Sequence, residues 1–158
     1  MHLTEQLAAE RDISRRLIEY AYIVDAKDYD RLREIFSDDV DHHYGLTTSH
    51  GVESLKKMVA GYLDRCGPTQ HLLGSTTIDV LDEHTATSRS YVQARHRGRG
   101  LRRRHVFDIS GTYVDRWTRS GPDWRIVHRQ AEWRIMSGSV RALFGRRRPP
   151  LLQRLKGH

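Results

Sequence analysis

The spacing of apolar and polar positions along this chain changes period once, near Pro68. Before it the spacing is helical. Ile13, Leu17, Ala21 and Val24 recur every three or four residues within 5–24, with Arg15, Arg16 and Glu19 elsewhere on the wheel, which predicts an amphipathic helix. Asp28 suits the N-cap of a second, short helix in YDRLREIF, and FSDDVDHHYG then supplies a turn and a first short strand. A third helix is predicted from Gly51 to Cys66, with Val52, Leu55, Met58, Val59 and Leu63 on its apolar side and Cys66-Gly67-Pro68 ending it. Beyond Pro68, the stretches 69–81, 85–97, 104–117 and 123–136 are rich in Thr, Val, Ile, Tyr and Trp. Asp-Glu-His, Gly-Arg-Gly and Ser-Gly-Pro-Asp part them. Three helices followed by long strands with short connections predict an α+β fold, an antiparallel sheet covered by helices on one side.

Composition narrows the class. The chain has 158 residues, 37% hydrophobic and 30% charged, the balance of one globular domain. We expect that domain to span residues 1–145, with 146–158 as a basic tail. No apolar run approaches the ~18 residues a membrane span needs. The N-terminus shows no secretory pattern, and the single cysteine, Cys66, can form neither an internal disulfide nor a thiol-based metal site, so a cytoplasmic protein is expected. The net charge of +7 hides an asymmetry: 16 acidic against 10 basic residues in 1–94, and 4 against 17 in 95–158. The basic half is concentrated in ARHRGRGLRRRH (94–105) and GRRRPPLLQRLK (145–156). Such runs meet nucleic acid, an acidic protein or an anionic ligand, or simply form a solvated face. Because they lack the interleaved aromatics of a stacking platform, nucleic acid is not expected.

Asp25 is the first candidate for chemistry. Helical periodicity puts it on the buried stripe with Leu17 and Ala21, yet at the end of the helix, where the dipole disfavours an anion. It is either a capping residue of a helix already ended or a carboxylate held by a partner. Of the 10 histidines, His71, His96, His105 and His128 fall in stretches that read as strand interiors. A histidine paired with a carboxylate places a base near neutral pH, since the carboxylate fixes the tautomer and supports the imidazolium. His42 and His43 are adjacent, so on a strand they face opposite ways, and no metal-ligand spacing accompanies them. There is no phosphate-cradling glycine loop, and no G-x-S-x-G motif. What remains is an acid/base site that requires no metal and no cofactor.

The stretches YAYIVDAKDYDRLREIFSDDV, PTQHLLGSTTIDV and DWRIVHRQAEWRI together resemble the SnoaL-like branch of the cone-shaped α+β fold shared with nuclear transport factor 2. Within it the likeness is greatest to scytalone dehydratase, with hexachlorocyclohexane dehydrochlorinase and a bile-acid dehydratase as further relatives. It spans about residues 8–145. The resemblance implies a curved, mostly antiparallel sheet on three N-terminal helices. It implies a helix-borne aspartate at Asp25, a general base at His71, a second histidine at His96 that donates a proton to the departing hydroxyl, and a carbonyl-polarising tyrosine at Tyr44. Around the substrate it implies Tyr20, Tyr113, Arg134 and Phe144, the last in a segment closing over the pocket. Arg134 would hold an anionic group of the substrate or pair with Glu132 or Asp25. Val24 replaces a tyrosine and Tyr113 an asparagine of scytalone dehydratase, so the dyad is kept while the shell around the substrate differs.

The function so implied is a cofactor-independent lyase of the dehydratase type, acting on a cyclic or polyketide-like carbonyl compound. An isomerase, a cyclase, a cofactor-free hydroxylase, or a non-catalytic small subunit or ligand-binding module are the alternatives on this fold. A homotrimer (or dimer) through the outer sheet face is expected, with Trp117, Trp124 and Trp133 as candidate contacts. An acidic carrier protein delivering the substrate is a further expected partner, met by Arg102, Arg103 and Arg104.

Overall fold

In the computed structural model, which describes residues 2–45 and 47–144, three helices lie before the four long strands and the sheet is continuous. Helix α1 (Leu3–Ala26) buries Ala9, Ile13, Leu17, Tyr20, Ile23 and Val24, which includes the predicted Ile13, Leu17 and Val24, while Ala21 is half-buried. It ends where Lys27 adopts the left-handed conformation (φ 60°) and returns its N–H to Ile23 and Val24. A single turn (Tyr29–Arg31) leads into the short α2 (Leu32–Ile35), and α3 (Val52–Leu63) follows two strands later. The strands are β1 (Phe36–Tyr44), β2 (Thr47–His50), β3 (Cys66–Val80), β4 (Thr85–Gly98), β5 (Val106–Ser120) and β6 (Asp123–Gly138), and α4 (Arg141–Phe144) closes the described chain.

The sheet order is β2-β1-β6-β5-β4-β3, antiparallel throughout except where β1 runs parallel to β6. β3 is therefore an edge strand, and α1 packs along it. Inward residues of the sheet meet the apolar stripes of α1 and α3, and the main core includes Ile13, Leu17, Leu32, Phe36, Leu55, Trp117, Trp124 and Ile126. Strands of 14 to 16 residues do not stay flat, and here they are interrupted by register shifts. Along β6 one shift falls between the pairs Arg116–His128 and Trp117–Ile126, and another between Ser110–Ile135 and Gly111–Trp133. Gly111 is required at the second: a Cβ there would stand 2.1 Å from the Glu132 carbonyl oxygen.

Several expectations change. Helix α3 stops at Leu63, and Cys66-Gly67-Pro68 opens β3 instead of terminating the helix. Proline is tolerated there because an edge strand has a row of N–H groups with no partner strand. The first strand is nine residues long, and β2 follows a stretch with no apolar alternation to announce it. Trp117 and Trp124 are 2% and 1% exposed and belong to the core, so they offer no oligomer surface. The basic tail 146–158 lies outside the described residues.

Candidate active site

Asp25 occupies the last turn of α1, a helical position and not a cap beyond the helix. An isolated carboxylate there would suffer from burial and from the negative end of the helix dipole. Three donors from β3 meet it. The His71 ring donates from Nδ1 to Oδ1 at 2.7 Å, the His71 backbone N–H donates to Oδ2 at 2.8 Å, and the Thr69 hydroxyl donates to Oδ1 at 2.8 Å. Alternation along β3 turns Thr69 and His71 to the same face, and the free edge of that strand leaves its backbone N–H available to α1. Burial by itself would raise the Asp25 carboxyl, but the bonds from the His71 ring, the His71 backbone and Thr69 together hold it below its ordinary value.

With Nδ1 committed to a carboxylate, the proton on a neutral His71 resides on Nδ1 and the Nε2 lone pair is free. His71 lines a cavity of about 180 Å³. Its walls are mostly apolar: Val24 from α1, Met58, Val59 and Leu63 from α3, Phe107 and Ile109 from β5, and Leu143 and Phe144 from α4. Neither a carboxylate nor a cationic side chain lines it among the described residues. Asp25 stands behind His71, outside the lining.

His96 faces the same cavity from β4, with its ring 5.6 Å from that of His71 and nearly perpendicular to it. Its Nδ1 lies 3.2 Å from the Phe107 carbonyl oxygen, an acceptor only, so Nδ1 carries the hydrogen. Burial first, and then the neighbouring His71, lower its pKa to about 4. The imidazole is thus neutral at ordinary pH, with a bare Nε2.

Three phenols that line the same cavity converge. The Tyr20 hydroxyl is 3.4 Å from those of Tyr44 and Tyr113, one each from α1, β1 and β5. Beneath them lies Arg129, fully buried, its guanidinium carbon 4.2 Å from the Tyr113 ring centre and 4.4 Å from that of Tyr20. It donates from Nε and Nη2 to both oxygens of the buried Asp115, at 2.7 and 2.8 Å. Its Nη1 meets no hydrogen-bond partner among the described residues. Burial pushes all three phenols up, against the opposing effect of the Arg129 charge, so each remains a hydrogen-bond donor. One turn before Val24, Tyr20 supplies from the same helix a hydroxyl that Val24 lacks.

The structure therefore brings together Asp25, His71, His96, Tyr44, Tyr20, Tyr113 and Phe144, and leaves out Arg134. Arg134 is the extra residue of the second β6 shift, on the outer face with its side chain 64% exposed, 3.9 Å from Glu132. The buried arginine is Arg129. The parity of β6 is reset at the first shift, near Val127, after which Arg129, Ala131 and Trp133 point inward. Strict alternation from Trp124 and Ile126 would have put Arg129 outside, and nothing in the sequence marks the bulge. Thr69 was also missed, although it stands two residues before His71 on the same strand face. Arg102 is turned back on the protein, donating to the Arg141, Ala142 and Arg65 carbonyls, whereas Arg103 and Arg104 are exposed.

Similarity to known proteins agrees with this architecture. No match was found among curated proteins. A candidate scytalone dehydratase from Novosphingobium aromaticivorans superposes with a TM-score of 0.79 at 23% identity, covering 87% of this chain and 92% of that one. A hexachlorocyclohexane dehydrochlorinase of LinA type from Novosphingobium barchaimii gives 0.74 at 16% identity, over 86% and 93%. A nuclear transport factor 2-like protein from Salmonella enterica gives 0.70 at 14% identity, over 80% and 92%. These likenesses establish the cone-shaped fold of the nuclear transport factor 2-like superfamily. The model of the SnoaL-like domain matches residues 5–130, and the chain belongs to that family.

Proposed function

We propose that the protein is a cofactor-independent lyase that removes water from a cyclic or polyketide-like β-hydroxy carbonyl compound. The observation that carries this reading is the 2.7 Å Asp25–His71 bond behind a largely apolar cavity that three phenols also line. The names of two fold neighbours, a dehydratase and a dehydrochlorinase, both describe eliminations, which supports it.

The free Nε2 of His71 takes the proton α to the substrate carbonyl. The C–H electron pair moves into the carbon–carbon bond, and the carbonyl oxygen gains negative charge opposite Tyr44. Phenols held as donors by burial stabilise that enolate, and the Arg129 cation behind them strengthens the effect in a low-dielectric cavity. Asp25 stabilises the imidazolium. The enolate then expels the β-hydroxyl, which takes the proton from His71 Nε2–H and departs as water, leaving a conjugated double bond. His96, expected from the resemblance to be the proton donor, has its hydrogen on the Phe107 side. We assign it the acceptor role, orienting the leaving hydroxyl through its bare Nε2.

Product mass tests the reaction. With a β-hydroxy tetralone the expected product has lost the mass of water. An unchanged mass would indicate an isomerase or cyclase, an added oxygen a hydroxylase, and either would overturn the assignment. His71→Ala and Asp25→Asn are each expected to lower turnover about 10²–10⁴-fold, the usual worth of a positioned base, with the fold retained by circular dichroism.

A further inference from the structure

The cavity holds a ring system of modest size and no charged group, but its rim is basic. Tyr62 and Phe144, stacked edge to face at 5.7 Å, stand between α3 and α4, and Val140 and the half-exposed Met136 complete that side. The next residues outward are cations. Arg65 follows the lining residue Tyr62 by three positions, Arg141 stands between the lining residues Val140 and Leu143, and both arginines are exposed. Arg102 spans the two, donating from Nη2 to the Arg65 carbonyl at 3.0 Å and from Nη1 to the Arg141 carbonyl at 3.1 Å. Those bonds go to neutral acceptors, so its charge is not cancelled. Among the described residues, neither Arg65 nor Arg141 forms an ion pair with a carboxylate. Asp64, the one acid beside them in the chain, accepts instead from the Tyr29 hydroxyl at 2.8 Å.

The Arg102 cation thus lies against the backbones of two further arginines, no carboxylate pairs with any of the three among the described residues, and such a local excess of positive charge attracts a ligand anion. A ligand too large for about 180 Å³ must project past Tyr62 and Phe144, into this field. We propose that the arginine rim is an anion subsite, and that the natural ligand is an apolar ring or acyl group bearing a carboxylate, sulfonate or phosphate ester on its unreacted end. The inference rests on the cavity being the ligand site, as proposed above, but not on the reaction performed there.

Two fluorescent probes test it without knowledge of the substrate: anilinonaphthalene sulfonate, and phenylnaphthylamine, which has the same rings and no charge. The wild-type chain at low salt is expected to bind the sulfonate probe about tenfold more tightly than the neutral one, a difference that fades as salt screens the rim. The doubly substituted R65E/R141E chain is expected to lose that preference while binding the neutral probe as before. R65Q/R141Q, a milder change for the fold, should lie between. Neither probe carries a carbonyl or a leaving group, so their relative affinity is read whether or not the chain catalyses an elimination, which separates failure of the catalytic reading from failure of this one. Equal affinity of the wild type for both probes, a preference that survives charge reversal, or an equal loss of both probes in both double variants would overturn the proposal.

Discussion

Asp25 sits where burial and a helix end both oppose a negative charge, and a strand edge supplies the three donors that offset them. Its carboxyl titrates below the ordinary 3.8, so the stability it contributes is present above that value and lost as pH falls beneath it. His96 acts over a higher window. Its imidazole takes a proton at about 4 in the folded chain and at 6.5 when unfolded. Between those values the unfolded chain binds more protons, so stability falls as pH drops from 6.5 to 4, by up to roughly 3 kcal/mol. Chemical denaturation of His96→Asn across that window should show a distinctly flatter dependence than the wild type. Equal slopes in the two proteins would mean that His96 is not held neutral by its surroundings.

At the scale of elements, the bends in β6 decide which residues reach the cavity. The shift near Val127 turns Arg129, Ala131 and Trp133 inward, and the shift opposite Gly111 turns Ile135 outward and Met136 toward the cavity. Gly111→Ala forces a methyl onto the Glu132 carbonyl, and denaturant unfolding should report a loss of about 1–3 kcal/mol or more. A neutral substitution would mean the two strands are not so closely opposed. These bends also mark the limit of what the chain discloses before folding. The buried stripe of α1 and the four long strands follow from periodicity, and the Asp25–His71 pairing follows from the resemblance to the SnoaL-like family, whose motifs lie within regular elements. Arg129 follows from neither. An extra residue in a strand leaves no composition signal, yet it reverses the facing of every residue after it. The N-terminal limit of β3 was hidden for another reason: Gly67-Pro68 signals a break to local reasoning, and only the position of β3 at the sheet edge makes it compatible with a strand.

Taken whole, helices cover one sheet face, and among the described residues none covers the other. On that outer face Leu72, Tyr91 and Ile135 are 56%, 62% and 65% exposed, and we propose them, in place of the buried Trp117 and Trp124, as contacts of a homotrimer. Sedimentation should show an oligomer for the wild type and a smaller species for the Tyr91→Glu, Ile135→Glu double variant. A wild-type monomer would end that expectation. No helix among the described residues is long and apolar enough to cross a membrane. The inner side gathers α1, β1, β3, β4 and β5 around two imidazoles, and that of His71 has its Nδ1 bound to Asp25 and its Nε2 free. Exchange of the α-hydrogen of a β-hydroxy tetralone for deuterium in heavy water, followed by NMR, reads that nitrogen directly and does not depend on the leaving group. The wild type is expected to exchange the hydrogen, and His71→Ala and Asp25→Asn to do so at least a hundredfold more slowly, within the range for a lost general base. Exchange by His71→Ala at the wild-type rate would contradict the account.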